Sequence, residues 1–246
     1  MINFRFIIQY DGTRYRGWQR QKGVADTIQG KIEYVLSRLA GREVTIDGAG
    51  RTDAGVHAYA QVANARMPDS FTADQLQMQM NEYLPEDIRI LKVVPAGERF
   101  HSRLHATGKV YQYCITKAGH YDVFRRKYSW QMDEPLDLAS MQSAADLLIG
   151  QHDFAGYCTR ASKKKSTVRR LDRIEMEQTD DRILLTYYGD GFLYNMVRIL
   201  TGTLVEVGLG QRTIEEVQLP LQTGERSLAG QTAPACGLFL KEVTYD

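Results

Sequence analysis

Hydrophobic and polar residues alternate over positions 2–9, whose sequence is INFRFIIQ. A period of two is typical of a β-strand with one buried face. The period then changes, and from Ile28 to Leu39 apolar residues recur at helical spacing. Thr27 is suited to cap such a helix and Gly41 to end it. The opening of the chain therefore predicts a strand followed by a helix with defined ends.

Segments with strand-like and helix-like spacing of apolar residues continue to follow one another as far as residue 94. Strands are predicted in EVTIDGA and QVANARM, with a loop between them. A second helix runs from about Thr72 to Leu84 and stops at Pro85, which cannot continue a helix. A strand over 88–94 follows. The order βαββαβ predicts a ferredoxin-like unit.

The second half of the chain repeats this order without repeating the sequence. Its predicted elements are a strand in KVYQYCIT, a helix in LDLASMQSAADLLIG closed by Gly150, strands in VRRLDRIEMEQ and RILLTYYGD, a helix in FLYNMVRILTGTLVEVG and a last strand in GLFLKEVTY. We therefore predict an α+β fold of two tandem ferredoxin-like halves, residues 1–100 and 101–246. Its sheet is expected to be largely antiparallel, with a central cleft.

Composition narrows the class of protein. A hydrophobic content of 43% and a charged content of 25% are ordinary for a globular protein. No apolar run approaches the ~20 residues of a membrane helix, and the first residues lack the features of a signal peptide. We expect a cytoplasmic protein that does not enter a membrane. The three cysteines and five histidines follow no metal-binding spacing, so no metal site is predicted.

The net charge of +1 neither indicates nor excludes a nucleic-acid partner. Charge is segregated along the chain, however. Acidic residues gather in DEPLD (133–137), and basic residues gather in RASKKKSTVRR (160–170). On composition alone, the basic run is as consistent with a solvated loop as with a binding surface.

The densest motif is GAGRTDAGVHA (48–58), in which Arg51 and Asp53 stand among three glycines. Glycine permits turns that other residues resist. The motif lies between two predicted strands, so it does not match a dinucleotide-binding loop, which joins a strand to a helix. Local chemistry alone leaves open a plain hairpin with an exposed arginine and aspartate.

GRTDAGVHA resembles the signature of the tRNA pseudouridine synthase A family. Other segments resemble that family in the same order along nearly the whole chain: YDGTRYRGWQRQ, TIQGKIE, NEYLPEDIRI, FHSRLHATGKVYQY, GQHDFAGY, FLYNMVRILTG and APACGLFL. Small departures occur at Ser102, Val110 and Ile199. None of them removes a residue to which the resemblance gives a catalytic role.

The resemblance implies an isomerase that converts uridine to pseudouridine at about positions 38 to 40 of the tRNA anticodon stem-loop, where the base must be flipped out to react. Asp53 would be the catalytic nucleophile, attacking either C6 of the base or C1′ of the ribose. Arg51 would assist base flipping. Tyr111, Arg198 and Leu238 would bind the substrate. No cofactor, metal or nucleotide is implied.

The resemblance also implies that tRNA lies in the cleft and crosses both subunits of a homodimer. The tRNA-contacting residues would be Arg14, Arg20, Phe100, His101, Arg103, Lys163, Lys164 and Lys165. We further expect an ion pair between Arg198 and Asp53. Arg198 is the one charged residue in FLYNMVRILTGTLV, and a guanidinium beside so apolar a surface favours an anionic partner.

The residues leave two other classes of function open. A non-catalytic RNA-binding module on ferredoxin-like units would usually carry a K-G-F-G-F-V-type strand, and the chain has none. A metal-dependent hydrolase would need clustered carboxylates or histidines, whereas the glycine-rich motif carries one carboxylate. Both alternatives need an assay to separate them from the isomerase.

Overall fold

A computed structural model describes residues 1–159 and 166–246, which form two compact units. Unit 1 comprises Met1–Thr107 and Phe239–Asp246, and unit 2 comprises Gly108–Leu238. The strands of the described residues are β1 (Ile2–Tyr10), β2 (Asp47–Gly48), β3 (His57–Met67), β4 (Ile88–Pro95), β5 (Ala106–Thr116), β6 (Trp130–Gln131), β7 (Gly150–Asp153), β8 (Val168–Gln178), β9 (Arg182–Gly189) and β10 (Leu238–Tyr245). The helices are α1 (Ile28–Ala40), α2 (Ala73–Tyr83), α3 (Leu138–Asp146), α4 (Met196–Gly208) and α5 (Leu219–Thr223).

The sheet of unit 1 has β1 at its centre. This strand pairs antiparallel with β3 on one side and with β4 on the other. The far edge of β3 pairs antiparallel with β2 and parallel with β10. With α1 and α2 between the strands in sequence, this is the predicted βαββαβ order.

Alternation in β1 and helical spacing in α1 produce the core of unit 1. Phe4, Phe6 and Ile8 are at most 1% exposed, and one apolar face of α1 is buried as well, with Ile28, Ile32, Val35 and Leu36. Thr27 Oγ1 accepts a hydrogen bond from Gly30 N, and Gly41 ends α1 with a φ of +66°. The predicted ends of this helix are therefore confirmed, as are those of α2.

The predicted strand EVTIDGA is wrong in its extent, since only Asp47 and Gly48 form β2. Side chains of α1 take the backbone groups that a strand would have paired. Val44 N donates to Ser37 Oγ, and Ile46 N donates to Glu33 Oε1. The segment before β2 is thus fixed to the helix instead of to the sheet.

Unit 2 is built on a second, mainly antiparallel set of strands. They lie in the order β5, β9, β8, β7, and each pair is antiparallel; the short β6 pairs parallel with the end of β5. Helices α3 and α4 contact each other. The mixed fold with largely antiparallel pairing is confirmed within each unit.

The predicted ends of both long helices in unit 2 need correction. Helix α3 stops at Asp146, and Gly150, with a φ of +111°, begins the unpredicted strand β7. Helix α4 begins at Met196 because Asn195 has a φ of +61°, a left-handed conformation that no helix can include. Residues 192–194 consequently lie outside the helix.

Contacts group most of the last strand with unit 1, whereas the sequence-based division ran 1–100 and 101–246. That division stays a prediction about how the two βαββαβ patterns are arranged. Within the described ranges, the chain offers no helix with the length and apolar character needed to cross a membrane.

Candidate active site

Asp53 lies on a short loop between β2 and β3, where it is partly exposed. Its own carbonyl accepts a hydrogen bond from Val56 N at 3.1 Å, and Gly55 has a φ of +78°. The loop therefore closes on itself in a tight turn that requires glycine. The side chain of the preceding Thr52 points inward, where its hydroxyl lies 2.8 Å from the hydroxyl of Tyr10.

The loop rests on residues 11–18, which we name the supporting segment. Trp18 N donates to Thr52 O at 3.0 Å, and Gly55 N donates to Tyr15 O at 3.3 Å. Gly17 has a φ of +92°, and a Cβ there would come within 2.6 Å of Thr52 O. The backbone of the supporting segment thus touches the backbone of the Asp53 loop.

The end of the loop is fixed by His57, the first residue of β3. Its ring is 2% exposed, and Nδ1 lies 3.1 Å from Gly12 N and 3.0 Å from Asp11 Oδ1. The ring of Phe239 stacks on it, with centroids 4.7 Å apart. Both ends of the Asp53 loop are consequently attached to buried groups of unit 1.

The three predicted RNA-contacting arginines of this region differ in their surroundings. Arg51 is exposed beside Asp53. Arg14 Nη2 forms an ion pair with Asp87 Oδ2 at 2.6 Å. The guanidinium of Arg20 forms ion pairs with carboxylates of α1 and of the loop after it. Arg14 and Arg20 therefore have structural partners as well as exposed surface.

Residues 97–105 combine aromatic and basic groups in a compact turn. The ring of Phe100 contacts those of His105 and Tyr245, and the guanidinium of Arg5 lies 5.8 Å from its centroid. His101 Nδ1 accepts a hydrogen bond from Arg103 N at 3.1 Å. The side chain of Arg103 is exposed, so this turn presents a cation while its aromatic ring is held in place.

Tyr111 is buried in β5, at 6% exposure. Its ring meets the ring of Phe192 edge to face, with centroids 5.2 Å apart. Tyr113, two residues farther along, is fully buried and donates a hydrogen bond to Pro234 O. Burial raises the pKa of Tyr113 well above its ordinary value. Tyr113 is thus a structural residue of unit 2.

Arg198 projects from the first turn of α4. Its Nε donates to Ala233 O at 2.7 Å, and Nη1 donates to Asn195 Oδ1 at 3.1 Å. Ala233 N in turn donates to Arg198 O at 3.0 Å. The guanidinium is therefore held by the segment that leads to Leu238, which is itself buried.

Several predictions are not tested by this geometry. Asp53 belongs to unit 1 and Arg198 to unit 2, so their ion pair stays a prediction, as do the other site roles. Lys163, Lys164 and Lys165 fall outside the described residues. Among the residues described, no group of three or more His, Cys, Asp and Glu side chains is placed to hold a metal ion.

Sequence reasoning missed the residues that support the Asp53 loop. In the sequence, Tyr10, Tyr15 and His57 stand out only as members of motifs, and nothing local distinguishes Asp87. The sequence does hold one clue. YDGTRYRGW and NEYLPEDIRI both resemble family motifs, yet only the first contains a predicted site residue. Two such segments are expected to meet when β1 and β4 pair.

A family model and two sequence relatives agree on one family. A family model described as tRNA pseudouridine synthase matches residues 6–104 and 144–246. The chain is 44% identical, over the whole length of both proteins, to tRNA pseudouridine synthase A of Bacillus sp. (strain KSM-64). It is 41% identical, over 99% of each chain, to tRNA pseudouridine synthase A 2 of Clostridium tetani (strain Massachusetts / E88). A solved Cbf5-Nop10-Gar1 complex aligns with 97% of this chain and 49% of its own at a TM-score of 0.39 and 13% identity.

Proposed function

We propose that this chain, which belongs to the tRNA pseudouridine synthase family, isomerises uridine through Asp53 in the anticodon stem-loop of tRNA. In this reaction the bond between N1 of the base and C1′ of the ribose breaks, and a bond between C5 and C1′ forms. The hydrogen on C5 leaves as a proton, and N1 gains one. No electron donor or transferred group is needed for this balance. The proposed targets are the uridines at about positions 38 to 40, which must leave the base stack.

The placement of Asp53 is the observation that carries this proposal. Asp53 is partly exposed on a loop whose backbone accepts a hydrogen bond from Trp18 N and donates one to Tyr15 O. A nucleophile needs this combination of access and fixed position. Attack at C6 of the base and attack at C1′ of the ribose are both open to such a carboxylate.

Arg51 and Tyr111 are proposed to handle the base itself. Arg51 is exposed two residues from Asp53, so its planar guanidinium is available to fill the space of the flipped base or to bind phosphate. The edge contact with Phe192 fixes the plane of the Tyr111 ring. Stacking a base on such a ring is worth ~1–3 kcal/mol. Leu238 would contribute an apolar surface.

Arg198 is proposed to pair with Asp53 when the site is assembled. A cation beside that carboxylate would favour its ionised form and orient it for attack. The hydrogen bonds from the guanidinium to Ala233 and Asn195 support this role, because they restrict the side chain to one position.

The wider tRNA surface is proposed to include Phe100, His101, Arg103, Arg14, Arg20 and the basic run with Lys163, Lys164 and Lys165. Such contacts to phosphates position RNA without reading its sequence. We also propose that the enzyme works as a homodimer in the cytoplasm, with tRNA contacting both subunits. Sedimentation of the free protein measures directly whether it is a homodimer.

A tritium-release assay tests the function. Transcribed tRNA carrying tritium at C5 of its uridines loses the label to water only if the C5–C1′ bond forms at a labelled position. We expect release in proportion to enzyme and time, and equal release in the presence of a chelator. Binding without release would favour the non-catalytic RNA-binding module. Cleavage of the RNA that stops on chelation would favour the metal-dependent hydrolase.

A further inference from the structure

One carboxylate, that of Asp87, accepts hydrogen bonds from two side chains of the supporting segment. One oxygen, Oδ2, accepts hydrogen bonds from Arg14 Nη2 at 2.6 Å and from Arg14 Nε at 3.0 Å. The other, Oδ1, accepts from the hydroxyl of Tyr15 at 2.6 Å. The backbone carbonyl of Asp87 accepts from Asp11 N at 2.9 Å. Three residues of the supporting segment thus converge on one aspartate.

The position of Asp87 follows from the pairing of the strands. It immediately precedes β4, and Ile88 lies opposite Tyr10 in the register of β1 and β4. The end of β1 and the start of β4 therefore meet where the supporting segment begins. The carboxylate is 12% exposed, and hydrogen bonds to a charged group of this kind are roughly twice as strong as neutral ones.

Tyr15 connects Asp87 to the Asp53 loop. Its hydroxyl bonds to the Asp87 carboxylate, and its backbone carbonyl accepts from Gly55 N. Its side chain is 5% exposed, and burial together with the Asp87 contact raises its pKa above the ordinary tyrosine value. Tyr15 therefore stays protonated and remains a hydrogen-bond donor to Asp87.

We propose that Asp87 is a positioning residue for the isomerisation, because it fixes the supporting segment against the loop that carries Asp53. This inference rests on the proposed function, in which Asp53 is the nucleophile. It also gives Arg14 a second role, since the arginine that the family resemblance assigns to tRNA is here part of the support for the catalytic loop.

The decisive variant is Asp87→Asn. Asparagine keeps the shape but replaces one acceptor oxygen with an NH₂ donor, so it cannot satisfy Arg14 and Tyr15 as the carboxylate does. We expect the single-turnover rate at saturating tRNA to fall about 10- to 100-fold, and tRNA affinity to stay within about twofold, because a displaced loop affects chemistry more than binding. Asp87→Glu keeps the charge and should restore part of the rate.

The matched control is Asp181→Asn in unit 2. Asp181 also accepts hydrogen bonds from arginines, Arg125 and Arg182, and from the hydroxyl of Thr179. Its loss removes similar interactions at the turn between β8 and β9. We expect a normal rate in this variant. An equal loss of rate in both variants would mean that Asp87 acts only through general stability.

Thermal unfolding shows whether each variant is folded at the assay temperature. If Asp87→Asn is unfolded at that temperature, Tyr15→Phe provides the test. This variant removes only the hydrogen bond to Asp87 Oδ1 and should still lower the rate about tenfold. Wild-type rates in either variant, or a saturating rate that survives while tRNA affinity falls, would overturn the proposal. Asp53→Asn is measured in parallel: activity in that variant would refute the nucleophile itself, whatever Asp87 does.

Discussion

At the scale of single residues, the carboxylate of Asp53 can be tested apart from the loop that carries it. The loop is held through backbone atoms and through Thr52, so replacing the Asp53 side chain leaves those hydrogen bonds in place. We predict that Asp53→Asn lowers the single-turnover rate more than 100-fold, since a lost nucleophile should raise the barrier by more than about 3 kcal/mol. Affinity for tRNA and the melting temperature should change little.

The control for this variant is Asp26→Asn. Asp26 is an exposed aspartate of unit 1 that forms an ion pair with Lys31. Asp26→Asn removes the same negative charge as Asp53→Asn and should keep the wild-type rate. Retention by Asp53→Asn of more than about a hundredth of the wild-type rate would contradict the nucleophile assignment.

Arg198 offers a second test at this scale, in which shape and charge are separated. We predict that Arg198→Met lowers the rate at saturating tRNA far more than it lowers tRNA affinity. Arg198→Lys should recover only part of the rate, because lysine keeps the charge but not the planar fork. Rapid-quench rates and filter binding measure the two quantities.

Arg198→Met also removes the hydrogen bonds from the guanidinium to Ala233 and Asn195. Asn195→Gly measures how much of the loss of rate comes from the second of these bonds. Glycine accepts the φ of +61° at this position but removes the amide oxygen that holds Nη1. A rate in Asn195→Gly as low as in Arg198→Met would assign the effect to anchoring. Equal rates in wild type and Arg198→Met would eliminate the role in catalysis.

At the scale of elements, periodicity and capping residues predicted α1, α2 and the long strands well. Thr27, Thr72 and Gly41 act through local chemistry that a sequence displays. The failures came from tertiary competition. The side chains of Ser37 and Glu33 accept hydrogen bonds from backbone amides of the segment before β2, so that segment does not join the sheet. Asn195 adopts a left-handed conformation that composition does not reveal, so α4 begins later than predicted.

At the candidate site, the sequence indicated the residues of the glycine-rich motif but not the residues that support their loop. The resemblance of GRTDAGVHA pointed to Asp53 and Arg51, the residues to which we assign nucleophilic attack and base flipping in the proposed function. It said nothing of Asp87 or Tyr15, whose proposed role depends on β1 and β4 lying side by side. Support for a catalytic loop is a property of the fold, so it appears only when the strands are in register.

The close approach of the supporting segment to the Asp53 loop predicts an asymmetry between two glycines. Gly17 and Gly41 both have left-handed φ values, +92° and +66°. A Cβ on Gly17 would meet Thr52 O at 2.6 Å, whereas one on Gly41 meets nothing within 4 Å. Gly41→Ala should therefore lose only about 1–2 kcal/mol of unfolding free energy, the strain of the backbone alone.

Gly17→Ala should lose roughly 2–5 kcal/mol, because strain and steric overlap add. It should also lower the saturating rate more than about tenfold, since the overlap displaces Thr52 and with it Asp53. Gly41→Ala should turn over normally. Urea unfolding and single-turnover rates provide the measurements, and equal stability and activity in the two variants would contradict the close packing.

At the scale of the whole molecule, binding of a polyanion has to be reconciled with a net charge of only +1. The 31 basic and 30 acidic residues nearly cancel, so affinity for tRNA depends on where the basic residues stand. Several cations of unit 1 are paired with carboxylates, as Arg14 is with Asp87. The run of Lys163, Lys164 and Lys165 carries three adjacent positive charges in the sequence, and we assign it a large share of the phosphate contacts.

This assignment predicts a steep dependence of tRNA affinity on salt, with each phosphate contact adding ~0.7–0.9 to the slope of log affinity against log salt concentration. Replacing Lys163, Lys164 and Lys165 together by alanine should reduce the slope by about 2–3, because up to three contacts are lost. The rate at saturating tRNA should stay near that of the wild type, since the lysines act on binding. A variant with Lys31, Lys92 and Lys241 replaced by alanine loses the same charge and controls for the net effect. If both triple variants flatten the slope equally, overall charge is responsible; if neither does, the basic run is a solvated loop.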